Sequence, residues 1–280
     1  MALTILYRGS LASCNYGCDY CPFAKQKDSK AELAQDKAEL QRFIHWVSQQ
    51  NRQVKILFTP WGEALIRGYY RQAIQQLSKL PQVEKVVIQT NFSCSTAWLK
   101  ECDLAKTAFW ITYHPTEISL PSFIQKMQQL DKIACSYSVG MVGIKENFNQ
   151  IQACRKALNS KIYLWINAYK RENDYYNAAE QQFLNQIDRY FDINNQNYPS
   201  FNKACYSGES AISVNGAGDI TRCHFIKDKI ANIYQADFET YLKPRLCSKQ
   251  SCGCYIGYMH LVELNLTKIY GNQLLERMAK

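Results

Sequence analysis

In the segment Ser13-Cys14-Asn15-Tyr16-Gly17-Cys18-Asp19-Tyr20-Cys21-Pro22-Phe23, three thiols fall at the spacing CxxxCxxC. With 12 cysteines in 280 residues, that spacing arises by chance in roughly 0.02 copies per chain, so it calls for a chemical cause. Three thiolates on one tight loop can hold three irons of a [4Fe–4S] cluster. The fourth iron then lacks a protein ligand, and an open metal position is what catalytic sites keep and structural sites close. The other reading is a zinc knuckle completed by a distant Cys or His, although structural zinc loops favour CxxC pairs.

A second group of thiols lies near the other end of the chain. Cys205 and Cys223 flank Gly218 in the pattern C-x12-G-x4-C, and Cys247, Cys252 and Cys254 follow as CxxxxCxC. Five thiols fill one four-ligand site with one left over; they do not fill two. An iron–sulfur cluster or a tetrahedral zinc would suit them, with His224 and His260 as bystanders. Cys94, Cys102, Cys135 and Cys154 have no ligand spacing and read as free cysteines packed among the elements. Between the two groups stands Pro60-Trp61-Gly62-Glu63-Ala64. Gly62 lets backbone approach a ligand closely, Glu63 can accept hydrogen bonds from a positively charged amino group, and Trp61 is expected to pack.

The elements that must position these groups alternate. Strands are expected over 4–8, 54–59, 85–90, 108–113, 136–142 and 162–168. Helices are expected over 30–50, 68–80, 96–106, 119–132, 148–158 and 178–191, the first with Leu33, Leu40, Phe43, Ile44 and Val47 at helical spacing. Six strands each followed by a helix need right-handed crossovers and a parallel sheet, with reactive groups at the strands' C-terminal ends. Residues 194–204 read as a linker. A hairpin is expected around 215–219 and one closing helix over 260–279.

Composition narrows the setting. A chain of this length buries a full core without disulfides. Hydrophobic residues make up 47%, yet no apolar run nears the roughly 18 residues of a membrane helix, and the start MALTILYRGS carries no secretory signal. A cytoplasmic location is expected, and reduced cysteines there are free to ligate. The net charge of +9 is spread along the chain: residues 205–280 hold nine Lys or Arg against seven Asp or Glu. A nucleic-acid binder normally gathers its excess on one stripe or tail, so neither nucleic acid nor membrane is an expected partner.

With its aromatic Tyr20 before the third cysteine, the loop Cys14, Cys18, Tyr20, Cys21 resembles the CxxxCxφC motif of the radical S-adenosylmethionine (SAM) superfamily, in which φ is aromatic. The resemblance extends over about residues 1–192. It implies an α/β fold, a partial (β/α)6 TIM-like barrel, with Cys14, Cys18 and Cys21 holding a [4Fe–4S] cluster whose open iron chelates SAM. Tyr20 would lie against the adenine. Residues 60–64 resemble the family's GGEP segment, with Trp61 and Ala64 in place of the first glycine and the proline. Gly62, Glu63, Thr112, Lys145 and Asn167 then stand where the family contacts SAM. The second cysteine group resembles the SPASM and Twitch extensions, and its content fits one auxiliary [4Fe–4S] cluster drawn from Cys205, Cys223, Cys247, Cys252 and Cys254. The implied domains are 1–192, the barrel, and 205–280, the small cysteine-rich extension with its closing helix. The implied activity is reductive cleavage of SAM to a 5′-deoxyadenosyl radical, with an electron donor such as flavodoxin or ferredoxin. Hydrogen would be abstracted from a peptide or small-molecule substrate. From a different class, the competing reading is a non-catalytic zinc or iron–sulfur module docking on RNA or protein.

Overall fold

The computed structural model describes residues 2–23 and 26–279. Six strands, β1 (Leu3–Arg8), β2 (Val54–Phe58), β3 (Val83–Thr90), β4 (Thr107–Thr112), β5 (Ser136–Val142) and β6 (Leu164–Asn167), pair parallel and in chain order. Helices α1 (Lys30–Ser48), α2 (Gly68–Lys79), α3 (Leu120–Lys132), α4 (Phe148–Ala157), α5 (Ala178–Ile187) and α6 (Phe191–Asn194) belong to the connections. Where a helix was expected over 96–106 there is only a short 3-10 turn, Ala97–Glu101. α1 starts at a capping box, in which Ser29 and Glu32 satisfy each other's backbone N–H groups, a device that fixes where a helix begins.

The two faces of the sheet are covered differently. Ile5, Tyr7, Ile56, Phe58, Ile88, Phe109, Val139 and Ile166 pack against α1 to α5, through residues such as Phe43, Ile74, Phe123, Ile151 and Leu184. Leu6, Leu57, Val87, Trp110 and Trp165 face the other way and form a second core with Tyr255, Tyr258, Leu266, Tyr270 and Leu275. Gly140 makes room on that face, since a Cβ there would come 2.0 Å from the ring of Trp165. Strand alternation places Arg8, Thr59, Gln89 and Thr112 on this inner side, at the C-terminal ends of their strands.

After α6 come the two-residue strands β7 (Tyr198–Pro199) and β8 (Ala204–Cys205), so the stretch expected to be a linker carries paired backbone. Strands β9 (Ala211–Asn215), β10 (Asp219–Cys223) and β11 (Ile226–Asn232) extend the same sheet, with β9 parallel to β1 and the hairpin β10–β11 antiparallel beyond it. The cysteine-rich region is thus joined to the sheet that carries the first cysteine loop. The short strands β12 (Arg245–Leu246) and β13 (Ser251–Cys252) pair with β8 and β7.

Instead of one closing helix, residues 255–273 form four short turns, among them α7 (Tyr255–Tyr258) and α8 (Thr267–Tyr270). Asn265 at φ 42° and Gly271 at φ 55° break the helix. The breaks let successive apolar side chains reach different parts of the inner face. The β6 edge is closed by side chains: Asp188 accepts from Ile166 N at 2.9 Å, and Asn194 Nδ2 donates to Ile166 O. Such capping blunts an edge that would otherwise pair with another chain. No helix among the described residues is long and apolar enough to cross a membrane.

Candidate functional site

The loop after β1 is clamped from behind before it reaches its cysteines. Asp36, buried on α1, accepts from Leu11 N at 3.0 Å, Tyr69 Oη at 2.8 Å and Tyr70 Oη at 3.2 Å. Burial raises its pKa, and these donors oppose the shift. Asp28 accepts from Ala12 N, Ser13 N and Ser13 Oγ at 3.1, 2.8 and 2.6 Å. Arg67 donates to the same Ser13 Oγ at 3.0 Å. On the other side, Ser13 O accepts from Glu63 N at 3.1 Å. A Cβ at Gly62 would lie 1.8 Å from that carbonyl oxygen, so the close approach Gly62 permits is to the cysteine loop itself.

Cys14, Cys18 and Cys21 line one cavity of about 380 Å³ together with Tyr16, Gly62, Glu63, Thr90, Asn91, Thr112 and His114. Among the described residues no three metal-binding side chains are close enough to share a single ion; a four-iron cluster spreads its ligands over the corners of a cube, more widely than one ion does. Cys18 Sγ lies 3.3 Å from His114 Nδ1. Tyr16 N donates to Cys14 Sγ, and Cys21 Sγ donates to Phe23 O, both at 3.4 Å. Burial pushes Cys18 up to about 11 and raises Cys14 as well. These thiols therefore stay protonated unless a cation replaces their protons, which is how metal binding normally proceeds. The donor set and the shared cavity fit an iron–sulfur group.

Glu63 is buried, its Oε1 accepting from Leu65 N at 2.9 Å and Thr90 Oγ1 at 2.7 Å, and its Oε2 from Asn91 N at 2.5 Å. Burial raises its pKa and the three donors oppose the shift. Among the sequence-derived contacts, Gly62, Glu63 and Thr112 share the cysteine cavity. Tyr20 stands beside it, its Oη 2.9 Å from His114 Nδ1, and lines a neighbouring recess with Lys145. Lys145 is paired with Glu180 at 3.0 Å. Asn167 ends β6 with an exposed side chain and lies outside the walls of the cysteine cavity. Trp61 is 39% exposed rather than packed inside, with the Arg8 guanidinium 3.9 Å over its ring. Because two neighbouring cavities flank it, this ring is a wall. The half-buried His114 has its pKa lowered to about 4 by desolvation, which keeps the imidazole neutral beside Cys18.

In the second group, Cys252 lies within charge reach of Cys223, Cys254, Cys247 and Cys205, and Cys223 within that of Cys205 and Cys247. Backbone and side-chain bonds gather them. Arg222 donates to Leu246 O and, at 2.9 Å, to Arg245 O, tying the residue before Cys247 to the strand that ends in Cys223. Cys247 exchanges backbone bonds with Lys203 and Asn202. Cys254 differs in its surroundings: burial among surrounding protein raises its pKa, and Arg277, Lys170 and Arg8 pull the other way. Sequence reasoning missed this gathering of cations around Cys254, since Arg8 and Lys170 lie far apart in the chain.

No protein-family model matches the sequence, and no curated protein does. Solved structures do. "Native anSMEcpe with bound AdoMet" is similar at a TM-score of 0.54 and 13% identity, over 86% of this chain and 83% of that one. "Native anSMEcpe with bound AdoMet and Cp18Cys peptide" is similar at 0.55 and 14% identity, over 86% and 82%. The chain shares the fold of these AdoMet-bound structures. BtrN in complex with AdoMet and 2-DOIA aligns more weakly, at a TM-score of 0.46 and 16% identity over 87% of each chain.

Gly62→Ala should push the Ser13 carbonyl away and carry Cys14 with it. The expected result is a stability loss of about 1–3 kcal/mol by urea denaturation, the usual cost of forcing atoms into a packed site, with faster alkylation of Cys14 in the metal-free protein. Unchanged values for both would mean that this contact does not hold the loop.

Proposed function

We propose that this chain is a radical SAM enzyme in which Cys14, Cys18 and Cys21 hold a [4Fe–4S] cluster and SAM binds against Gly62, Glu63 and Thr112. The carrying observation is that the three thiols share one cavity with Glu63 and Thr112 at the C-terminal ends of parallel strands. When bound and reduced, the cluster supplies the electron that splits SAM into methionine and a 5′-deoxyadenosyl radical. The protein's part is to orient and to exclude. Glu63, fixed by three donors, keeps its remaining lone pairs for the SAM ammonium. Asn91, Thr90 and Thr112 offer polar contacts around it. Tyr20, Lys145 and Asn167 remain proposed contacts from the family pattern.

Residues 1–192 are read as the part that binds SAM and 205–280 as the auxiliary part, with Cys205, Cys223, Cys247 and Cys252 the proposed ligands of a second [4Fe–4S] cluster. Abstraction of hydrogen leaves a substrate radical, and an oxidised product requires one further electron and a proton to depart. Those four thiols would hold the group that takes the electron. Flavodoxin or ferredoxin is the proposed donor and the cytoplasm the proposed setting. The anSMEcpe structure with a bound peptide supports a peptide substrate, with a small molecule the other class.

The test is anaerobic reconstitution followed by chromatography for 5′-deoxyadenosine after reduction with SAM present. Wild type should form it, and Cys14→Ala, Cys18→Ala and Cys21→Ala combined should not; formation by the triple variant, or a colourless wild type holding zinc, overturns the reading. Glu63→Gln should assemble the first cluster yet bind SAM roughly ten- to a hundredfold more weakly by calorimetry, since a charge-assisted hydrogen bond contributes about 1.5–3 kcal/mol. Iron counting separates the five later thiols: Cys252→Ala should lose about four irons per chain, as a [4Fe–4S] cluster requires, and Cys254→Ala none.

A further inference from the structure

On the inner side of the sheet, the ring of residues at the strand ends is Arg8, Thr59, Gln89 and Thr112, and Arg8 is its only charged member. Arg8 Nε donates to Thr59 O at 2.7 Å. No hydrogen bond among the described residues uses its two η nitrogens, and neither is sealed from solvent. Its flat face rests on Trp61. Trp61 lines both the cysteine cavity and an adjoining cavity of about 510 Å³ that Arg8 lines with His224 and Thr221.

Two more cations, Lys170 and Arg277, act together with Arg8 on Cys254, outside the walls of that cavity. Lys170 Nζ donates to Gln196 O and Gly253 O, both at 2.7 Å. Arg277 is held in a cage of Trp110, Trp165 and Tyr255, with its carbon 5.3, 4.2 and 4.4 Å from the ring centres. Among the described residues none of the three forms an ion pair with a carboxylate. The acids that share Arg8's cavity are engaged: Glu39 by Ser10 and Gln35, Asp219 by Lys229 and Asn232. Burial lowers Arg8 to about 10 and Lys170 to about 8. A charge partly withdrawn from water without a counter-ion carries a cost, and a ligand of opposite charge would relieve it.

We infer that Arg8 is the anchor of a carboxylate-recognition subsite, and that the substrate presents a carboxylate to the free fork of its guanidinium. A planar fork with two unbonded η nitrogens matches a carboxylate in a bidentate pair. Thr59 fixes the fork from one end and Trp61 from below, so little freedom is lost on binding. The inference rests on the reading of the chain as a SAM-cleaving enzyme, because it assigns the cavity beyond Trp61 to the substrate.

The experiment is calorimetric binding to the reconstituted protein with saturating SAM, so that the carboxylate of SAM does not compete. The probes are glutarate and the peptide acetyl-Gly-Asp-Gly-amide, each against its neutral isostere, glutaramide or the Asn peptide. One acid should bind about tenfold more tightly than its amide, the scale of one charge-assisted pair, and which one does so tells a free acid from a peptide side chain. In Arg8→Gln that preference should vanish; no preference in wild type, or a preference that survives Arg8→Gln, overturns the inference. Should Arg8→Gln fail to fold, Arg8→Lys decides, since it keeps the charge but loses the fork: a severalfold smaller preference supports the subsite and an unchanged one overturns it. Formation of 5′-deoxyadenosine by wild type without any acid tests the SAM reading separately.

Discussion

A parallel sheet whose crossover helices all lie on one side leaves its other face bare, and that face must be covered because both sides of such a sheet are apolar. In this chain the bare side carries Leu6, Leu57, Val87, Trp110 and Trp165. Burying side chains of this size is worth about 1.5–3 kcal/mol each, which makes the cover part of the fold. The C-terminal segment provides it with Tyr255, Tyr258, Leu266, Tyr270 and Leu275. Because Cys252 and Cys254 immediately precede that segment, covering the face also delivers the second thiol group to the strand ends. Cys223 arrives from the opposite direction, on a hairpin that extends the same sheet.

The cysteine loop is held by a different kind of force. Its backbone amides are taken by two acids, the buried Asp36 and the half-buried Asp28, and its Ser13 carbonyl by the amide of Glu63. Gly62 and Glu63 thus serve the loop before they serve a ligand, one by omitting a Cβ and the other through its backbone. The Glu63 carboxylate is in turn oriented by Thr90, Asn91 and Leu65. A site assembled in this way is ordered before a cofactor arrives, which lowers the entropy lost on binding.

The same burial acts oppositely on the two kinds of ionisable group. It holds the thiols protonated, so they await a metal, and it weakens the cations Arg8 and Lys170, so they await an anion. Both effects follow from removing water near a charge. The thiols of the first loop and Arg8 line neighbouring cavities that share the ring of Trp61 as a wall.

Much of this was legible in the residues. The CxxxCxxC loop, the six parallel strands, five of them followed by an α-helix, and the C-x12-G-x4-C hairpin are local patterns, set by ligand spacing, by period and by turn chemistry, and the sequence by itself determined them. The expected closing helix over 260–279 failed because Asn265 and Gly271 adopt positive-φ backbone and the inner face demanded contacts at several places; the linker failed because two-residue strands leave no periodic trace. Tertiary structure alone decided that β9 pairs with β1, that Arg8 and Lys170 come within charge reach of Cys254, and that Trp61 is a wall. Each of these joins residues far apart in sequence, and such pairings are chosen by which apolar faces must be covered and which charges must be matched in space, quantities that no local pattern encodes.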